Sequence, residues 1–203
     1  MSIGRFRSVM DAADLQLDEA CLSISAAIRH PLDEIEWLAT IDLIAGECPT
    51  PTAEGIARHL FGDLGFHGNA AAYHDWRNSC LDQVIERRTG IPITLSILMI
   101  EVGRRLGVPL VGIGMPAHFI VRHADHPDQF FDPFGGGVEL DRAEARALFE
   151  RVTGGRLEWQ EQFLDPMIGQ SIVVRVLNNL RSIFAARNDA VRLGVVMQLR
   201  GCI

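Results

Sequence analysis

The sequence predicts an α+β protein with a helical first third, a short antiparallel sheet in its middle and a closing pair of helices. Three observations carry this. Apolar residues recur at helical spacing up to Pro31 and again to Ala45. After Pro109 the pattern changes to short extended runs, and two long amphipathic stretches flanking Arg187-Asn-Asp end the chain. With 48% of its 203 residues apolar, the chain can bury one sizeable core.

The first helix is expected over Ala12 to Arg29, where Leu15, Cys21, Leu22, Ile24 and Ile28 follow the helical period and Pro31 halts it. The second covers about Leu32 to Ala45, with Ile35, Leu38, Ile41 and Ala45 on one face. Cys48-Pro-Thr-Pro-Thr breaks the pattern, and Thr52 is placed to cap a third helix over Ala53 to Phe61. A Gly- and Ala-rich connection, Gly65 to Ala72, leads through Tyr73-His-Asp-Trp-Arg-Asn-Ser-Cys into a short helix from Leu81 to Arg88. The clearest helix is Pro92 to Leu106: proline suits a first turn, Leu95, Leu98, Met99, Val102 and Leu106 form the apolar stripe, and Gly107 fits a left-handed stop. Strands are expected at Leu110–Ile113, Ala117–Arg122 and Gln129–Asp132, followed by a turn at Gly135–Gly137. Asp141 should cap a helix reaching Val152, which Gly154-Gly155 ends; Ile168–Ala186 and Ala190–Leu199 form the closing hairpin. This divides the chain into an N-terminal helical layer (1–72), a core (73–160) and the hairpin (161–203), expected to pack as one unit.

Composition narrows the function classes. Nineteen basic residues against twenty-six acidic ones give a net charge of −7, which repels phosphate backbones and argues against a nucleic-acid partner. No run approaches the roughly 20 apolar residues of a membrane span, and Met1 to Asp11 lacks the apolar core of a signal peptide. A cytoplasmic, membrane-free protein is expected. The four cysteines, Cys21, Cys48, Cys80 and Cys202, form no CxxC pair and read as free thiols in a reducing compartment.

For chemistry, His118 and Asp132 fall on neighbouring expected strands, where an imidazole and a carboxylate can meet across a sheet. In a thiol enzyme the third member would open the preceding helix, where free amides and the helix dipole stabilise a thiolate.

The run Asn78-Ser-Cys-Leu-Asp-Gln-Val-Ile-Glu-Arg-Arg-Thr-Gly-Ile-Pro-Ile-Thr-Leu-Ser, then Arg104-Arg-Leu-Gly-Val-Pro-Leu-Val-Gly-Ile-Gly-Met-Pro-Ala-His-Phe-Ile-Val and Phe131-Asp-Pro-Phe-Gly-Gly-Gly, resembles bacterial SirB-type proteins. These carry a transglutaminase-like domain of papain type, commonly followed by tetratricopeptide repeats. The resemblance implies a Cys-His-Asp site with His118 and Asp132 as two members. The superfamily's Gly-x-Cys lays Gly90 on the glycine and Pro92 on the cysteine, so the nucleophile is absent: proline has neither a nucleophilic side chain nor an amide hydrogen. The closing hairpin resembles the start of the repeat region, but one helical pair is too short for a solenoid.

Other residues invite weighing. Cys80, at the start of the helix from Leu81, is the alternative nucleophile; its bland reading is a small buried hydrophobe. Thr94 and Ser96 lie near the lost position, but hydroxyls on an apolar helix usually bond back to the chain. Tyr73, Trp76 and Asn78 could line a cleft beside His118, with Pro92, or serve as core anchors and a loop brace. Arg87 and Arg88 could bind an anion or end a solvated helix, and His123, Asp125, His126 and Asp128 read as a polar turn rather than a metal site. No metal or cofactor is expected. The favoured function is a noncatalytic module that binds a protein or peptide. The alternatives are an amide-bond hydrolase or acyl transferase using Cys80 with His118 and Asp132, and, less supported, metal-assisted hydrolysis. The sequence does not fix an oligomeric state.

Overall fold

The computed structural model describes residues 2–203. Its helices are α1 (Ser2–Met10), α2 (Leu17–Ile28), α3 (Glu34–Gly46), α4 (Ala53–Ala57), α5 (Leu81–Arg87), α6 (Pro92–Arg105), α7 (Arg142–Thr153), α8 (Gly169–Ala186) and α9 (Ala190–Arg200). Two-residue strands β1 (His67–Gly68) and β2 (Thr89–Gly90) pair in parallel. Strands β3 (Leu110–Ile113), β4 (Ile120–His123), β5 (Phe130–Asp132) and β6 (Val138–Leu140) make an antiparallel sheet in sequential order.

Over β3 to β5 the sheet is covered on both faces, and alternation along these strands decides which residue meets which layer. Val121 pairs with Phe131, and both belong to the large core built around α6. Their neighbours Ile120 and Phe130 point the other way, into a smaller cluster with Ala145, Leu148 and Phe149 of α7. On its remaining sides α6 packs against α2, α3, α4, α5 and α8, so its apolar stripe of Leu95, Leu98, Met99 and Val102 is wholly buried. The large core draws on residues from Phe6 in α1 to Leu199 in α9.

Caps fix several helix starts. Thr52 Oγ1 accepts from Gly55 N at 3.1 Å, and Asp141 and Glu144 form a reciprocal capping box at 2.8 Å each way. After Ala57 the third helix widens into a π-helical turn, Arg58–Asp63, instead of continuing as α-helix to Phe61.

A charged cluster ties the C-terminal end of α6 to the start of α2. Glu101 and Asp18 are both buried; Glu101 Oε1 accepts from Leu17 N at 2.9 Å, satisfying a free amide of the first turn of α2. Arg104 Nε reaches Glu101 Oε2 at 2.7 Å, and Arg105 Nη1 reaches Asp18 Oδ2 at 2.8 Å while its Nε reaches Asp42 on α3 at 2.6 Å. Buried charges of this kind hold only when paired, so the cluster fixes how three helices meet.

Two expectations need correction. The helix expected over Ala12–Arg29 is shorter, beginning at Leu17 as α2, and ahead of that range stands an unexpected helix, α1, burying Phe6, Val9 and Met10. The second strand begins at Ile120 rather than Ala117, because Pro116 donates no backbone hydrogen bond and Ala117 takes a left-handed φ of 62°. His118 therefore lies in a turn ahead of β4.

Candidate functional site

Pro92 opens α6, where its missing amide hydrogen costs nothing. The preceding residue, Ile91, has no polar side chain, and Thr94 substitutes as a brace. Its Oγ1 accepts from Ile91 N at 3.2 Å and donates to Asn78 O at 2.7 Å. Thr94 is thus committed to the backbone. Ser96 is fully buried.

His118 is presented by the turn Met115-Pro-Ala-His, closed by His118 N donating to Met115 O at 3.3 Å. Proline at the second position and a positive φ at the third are the features of a type II turn, a place glycine usually takes. Arg175 of α8 clamps this turn: its Nη2 donates to both Met115 O and His118 O at 2.7 Å, and the guanidinium lies 5.5 Å over the ring of Phe119. His118 Nε2 meets Asp132 Oδ1 at 2.9 Å, and the same oxygen accepts from Phe134 N at 3.1 Å. The carboxylate acceptor places the proton of a neutral ring on Nε2 and leaves Nδ1 as its acceptor nitrogen. Gly135 allows this arrangement, since a Cβ there would sit 2.7 Å from Asp132 Oδ2.

A cavity of about 100 Å³ brings Pro92, Ala117 and His118 together with Tyr73, Arg175 and Asn179. No cysteine, serine or threonine lines it. Tyr73 and His118 both stand edge-on to Phe134, with centroids 5.9 and 6.0 Å from its ring. Burial pushes the Tyr73 phenol up and the Arg175 guanidinium down from their usual ranges, each opposed by the other's proximity.

The remaining sequence candidates go elsewhere. Cys80 is fully buried beside Ser25 and Arg29, outside the His118 cavity, and burial pushes its thiol pKa up to about 12. An activated thiol would be shifted the other way. Trp76 lies under Arg192, 4.9 Å from its guanidinium, and packs near Phe184, so it anchors the segment to α8 and α9. Asn78 is a loop brace: its Nδ2 donates to Ala72 O and Tyr73 O, and its Oδ1 accepts from Asn69 and Arg87. Arg88 ends α5 with a φ of 52° and donates to Leu64 O at 2.9 Å. The rings of His123 and His126 lie 4.5 Å apart at a 54° tilt and Asp128 pairs with Arg142; among the described residues no group of three or more His, Cys, Asp or Glu is arranged to hold a metal ion.

Arg175 and Asn179 were missed in the sequence. Their signal was present: positions 175, 179, 182 and 186 lie at helical spacing and are occupied by Arg, Asn, Ser and Ala beside the apolar stripe of α8.

A UPF0162 protein from Xylella fastidiosa (strain 9a5c) is 44% identical over 137 residues, covering 66% of this chain and 49% of that protein. A UPF0162 protein from Pseudomonas aeruginosa is 33% identical over 184 residues, 85% of this chain and 66% of that protein. Human F-box only protein 21 is 36% identical over 129 residues, 59% of this chain but 20% of that protein. The chain spans about half the length of the Xylella relatives it matches. No solved structure matches it. Among the described residues, no helix is long and apolar enough to cross a membrane. The family model for the transglutaminase-like superfamily matches residues 12–178, a span that includes α6, the sheet, His118, Asp132 and Arg175, and the chain belongs to that superfamily.

Proposed function

We propose that the chain is a noncatalytic transglutaminase-like module of SirB type, with a papain-type core, whose cleft binds a protein or peptide. One observation carries this: the wall of the His118 cavity holds Pro92 where the superfamily's pattern has its cysteine, and no thiol or aliphatic hydroxyl lines that cavity. A histidine held by a carboxylate but facing no nucleophile retains a hydrogen-bonding role without a covalent one. The alternative nucleophile, Cys80, is buried with its thiol pKa raised, which argues against a cysteine-type hydrolase or transferase. All four cysteines are free, in keeping with a cytoplasmic setting. The α8–α9 pair is read as tetratricopeptide-like, packed back on the core through α2.

Restoring the cysteine tests the reading. In Pro92→Cys, a thiol in the first turn of α6 beside His118 should react with iodoacetamide faster than in Pro92→Cys/His118→Ala, and its rate should persist below the normal thiol range. A thiol at 92 whose reactivity ignores His118 would show that this is not a vacated nucleophile position. Thiol-dependent turnover by the wild-type protein would defeat the noncatalytic reading itself.

A further inference from the structure

The His118 cavity adjoins a larger hollow beside α8. A second hollow of about 460 Å³ shares Tyr73 and Asn179 with it and runs along α8 between that helix and the loop carrying Tyr73 and His74. Its floor is apolar, with Ile91 and Ile183 nearly fully buried beneath it. Its far end is marked by Arg187, whose Nη2 donates to His74 O at 3.0 Å.

The charge along this path runs against that of the molecule. The chain carries a net −7, yet no Asp or Glu lines either hollow, and Arg175 and Arg187 stand at the two ends. The nearby acids are already engaged: Asp132 with His118, and Asp75 with Arg77 and Arg87. The polar stripe of α8 at positions 175, 179 and 182 faces the cleft along its length. Arg175 and Ile183 are separated by eight positions on one helix, about 12 Å at 1.5 Å per residue, which an extended peptide spans in roughly four residues.

We propose that this cleft binds an extended peptide segment carrying a carboxylate side chain at the Arg175 end and an apolar side chain, about four residues away, over Ile91 and Ile183. The proposal rests on the noncatalytic reading and names its ligand class. Arg175 supplies the charge that recognises the carboxylate, His118 Nδ1 accepts from a peptide amide, and Asn179 and Ser182 offer hydrogen bonds to the peptide backbone between the two anchors.

The test is fluorescence anisotropy with three labelled nine-residue peptides in a Gly/Ser background. One carries glutamate and leucine four positions apart, one has glutamine in place of the glutamate, and one has glycine in place of the leucine. The glutamate–leucine peptide should bind, and each replacement should weaken it by about tenfold, the scale of one lost charge-assisted contact or one lost apolar anchor. Arg175→Gln should abolish the preference for glutamate over glutamine. Because Arg175 also clamps the His118 turn, Ser182→Glu provides a second variant: Ser182 is exposed on α8 between the two anchors, and a longer charged side chain there removes its hydrogen bond to the peptide backbone and obstructs the path, which should weaken the glutamate–leucine peptide by about tenfold. The proposal is overturned if the first peptide does not bind wild type, if glutamate and glutamine peptides bind alike, or if Ser182→Glu leaves the affinity unchanged. Any of these leaves the Pro92→Cys result untouched, so failure of the ligand class and failure of the noncatalytic reading are separable.

Discussion

Asp132 holds the ring of His118, and truncating it has a cost that follows from its two bonds. One carboxylate oxygen accepts from His118 Nε2 at 2.9 Å and from Phe134 N at 3.1 Å, with His118 6% and Asp132 7% exposed. Asp132→Ala leaves both donors without a partner in a nearly dry site, and at about 1–3 kcal/mol per orphaned buried group, taken near the lower end because water can enter the adjoining cavity, the loss is about 2–4 kcal/mol. Asp132→Asn keeps an oxygen in the same place and loses only the charge, so about 1 kcal/mol is expected. Urea unfolding separates them: the midpoint should fall in both variants at unchanged slope, and further in Asp132→Ala. Equal midpoints for the two variants, or an alanine variant within about 0.5 kcal/mol of wild type, would refute the claim that these two hydrogen bonds hold the site.

Three other perturbations have defined outcomes. Arg29 pairs with Asp82, whose carboxylate is fully buried and whose Oδ1 has no hydrogen-bond partner among the described residues; Arg29→Ala should therefore cost about 3–5 kcal/mol in urea unfolding, and a loss under 1 kcal/mol would mean that Asp82 is not held by that pair. Burial, then the proximity of Asp18, raises the pKa of Glu101, so between the ordinary glutamate range and the raised value the fold retains a proton that the unfolded chain releases; stability from this group is full below that window and declines as pH rises through the raised value, above which the carboxylate is held by Arg104. Glu101→Gln should remove that decline from a series of urea midpoints taken upward from pH 4, and parallel profiles for the two proteins would contradict the shift. At Ala117, with its φ of 62°, Ala117→Val should lower stability by about 1–3 kcal/mol while Ala117→Gly is neutral or mildly stabilising; a tolerated valine in a thermal melt would show that the turn is not held left-handed.

Much of the helical layer was legible because its signals are local. The stripe of α6, Thr52 before α4 and Asp141 before α7 each lie within a turn or two of sequence, and each forms as that spacing suggests. What escaped had little local signal or a misleading one. Strand β6 is three residues long with two of them exposed, so it carries no buried face, and β1 with β2 is a two-residue pairing across more than twenty positions. The run from Ala117 to Arg122 looked like one apolar strand; Pro116 ahead of it was the cue that the chain turns before it extends. In α1, Ile3, Phe6 and Met10 lie at helical spacing, but Arg5 and Arg7 interrupt the apolar run. The contact between His118 and Asp132 was expected as a cross-strand pair, and the structure makes it from a turn to a strand end. Arg175, more than forty positions from either, is brought to them only by tertiary packing.

The measurement that bears most directly on the idle cleft is residue-resolved alkylation of the native protein by iodoacetamide, read by peptide mass spectrometry across pH 6 to 9 in wild type and His118→Ala. With Cys80 enclosed and its thiol pKa at about 12, it should stay unlabelled in the folded protein at every pH, and His118→Ala should change nothing at that residue. Rapid labelling of Cys80 in wild type that slows in His118→Ala would place a working thiol beside the imidazole and contradict the noncatalytic reading.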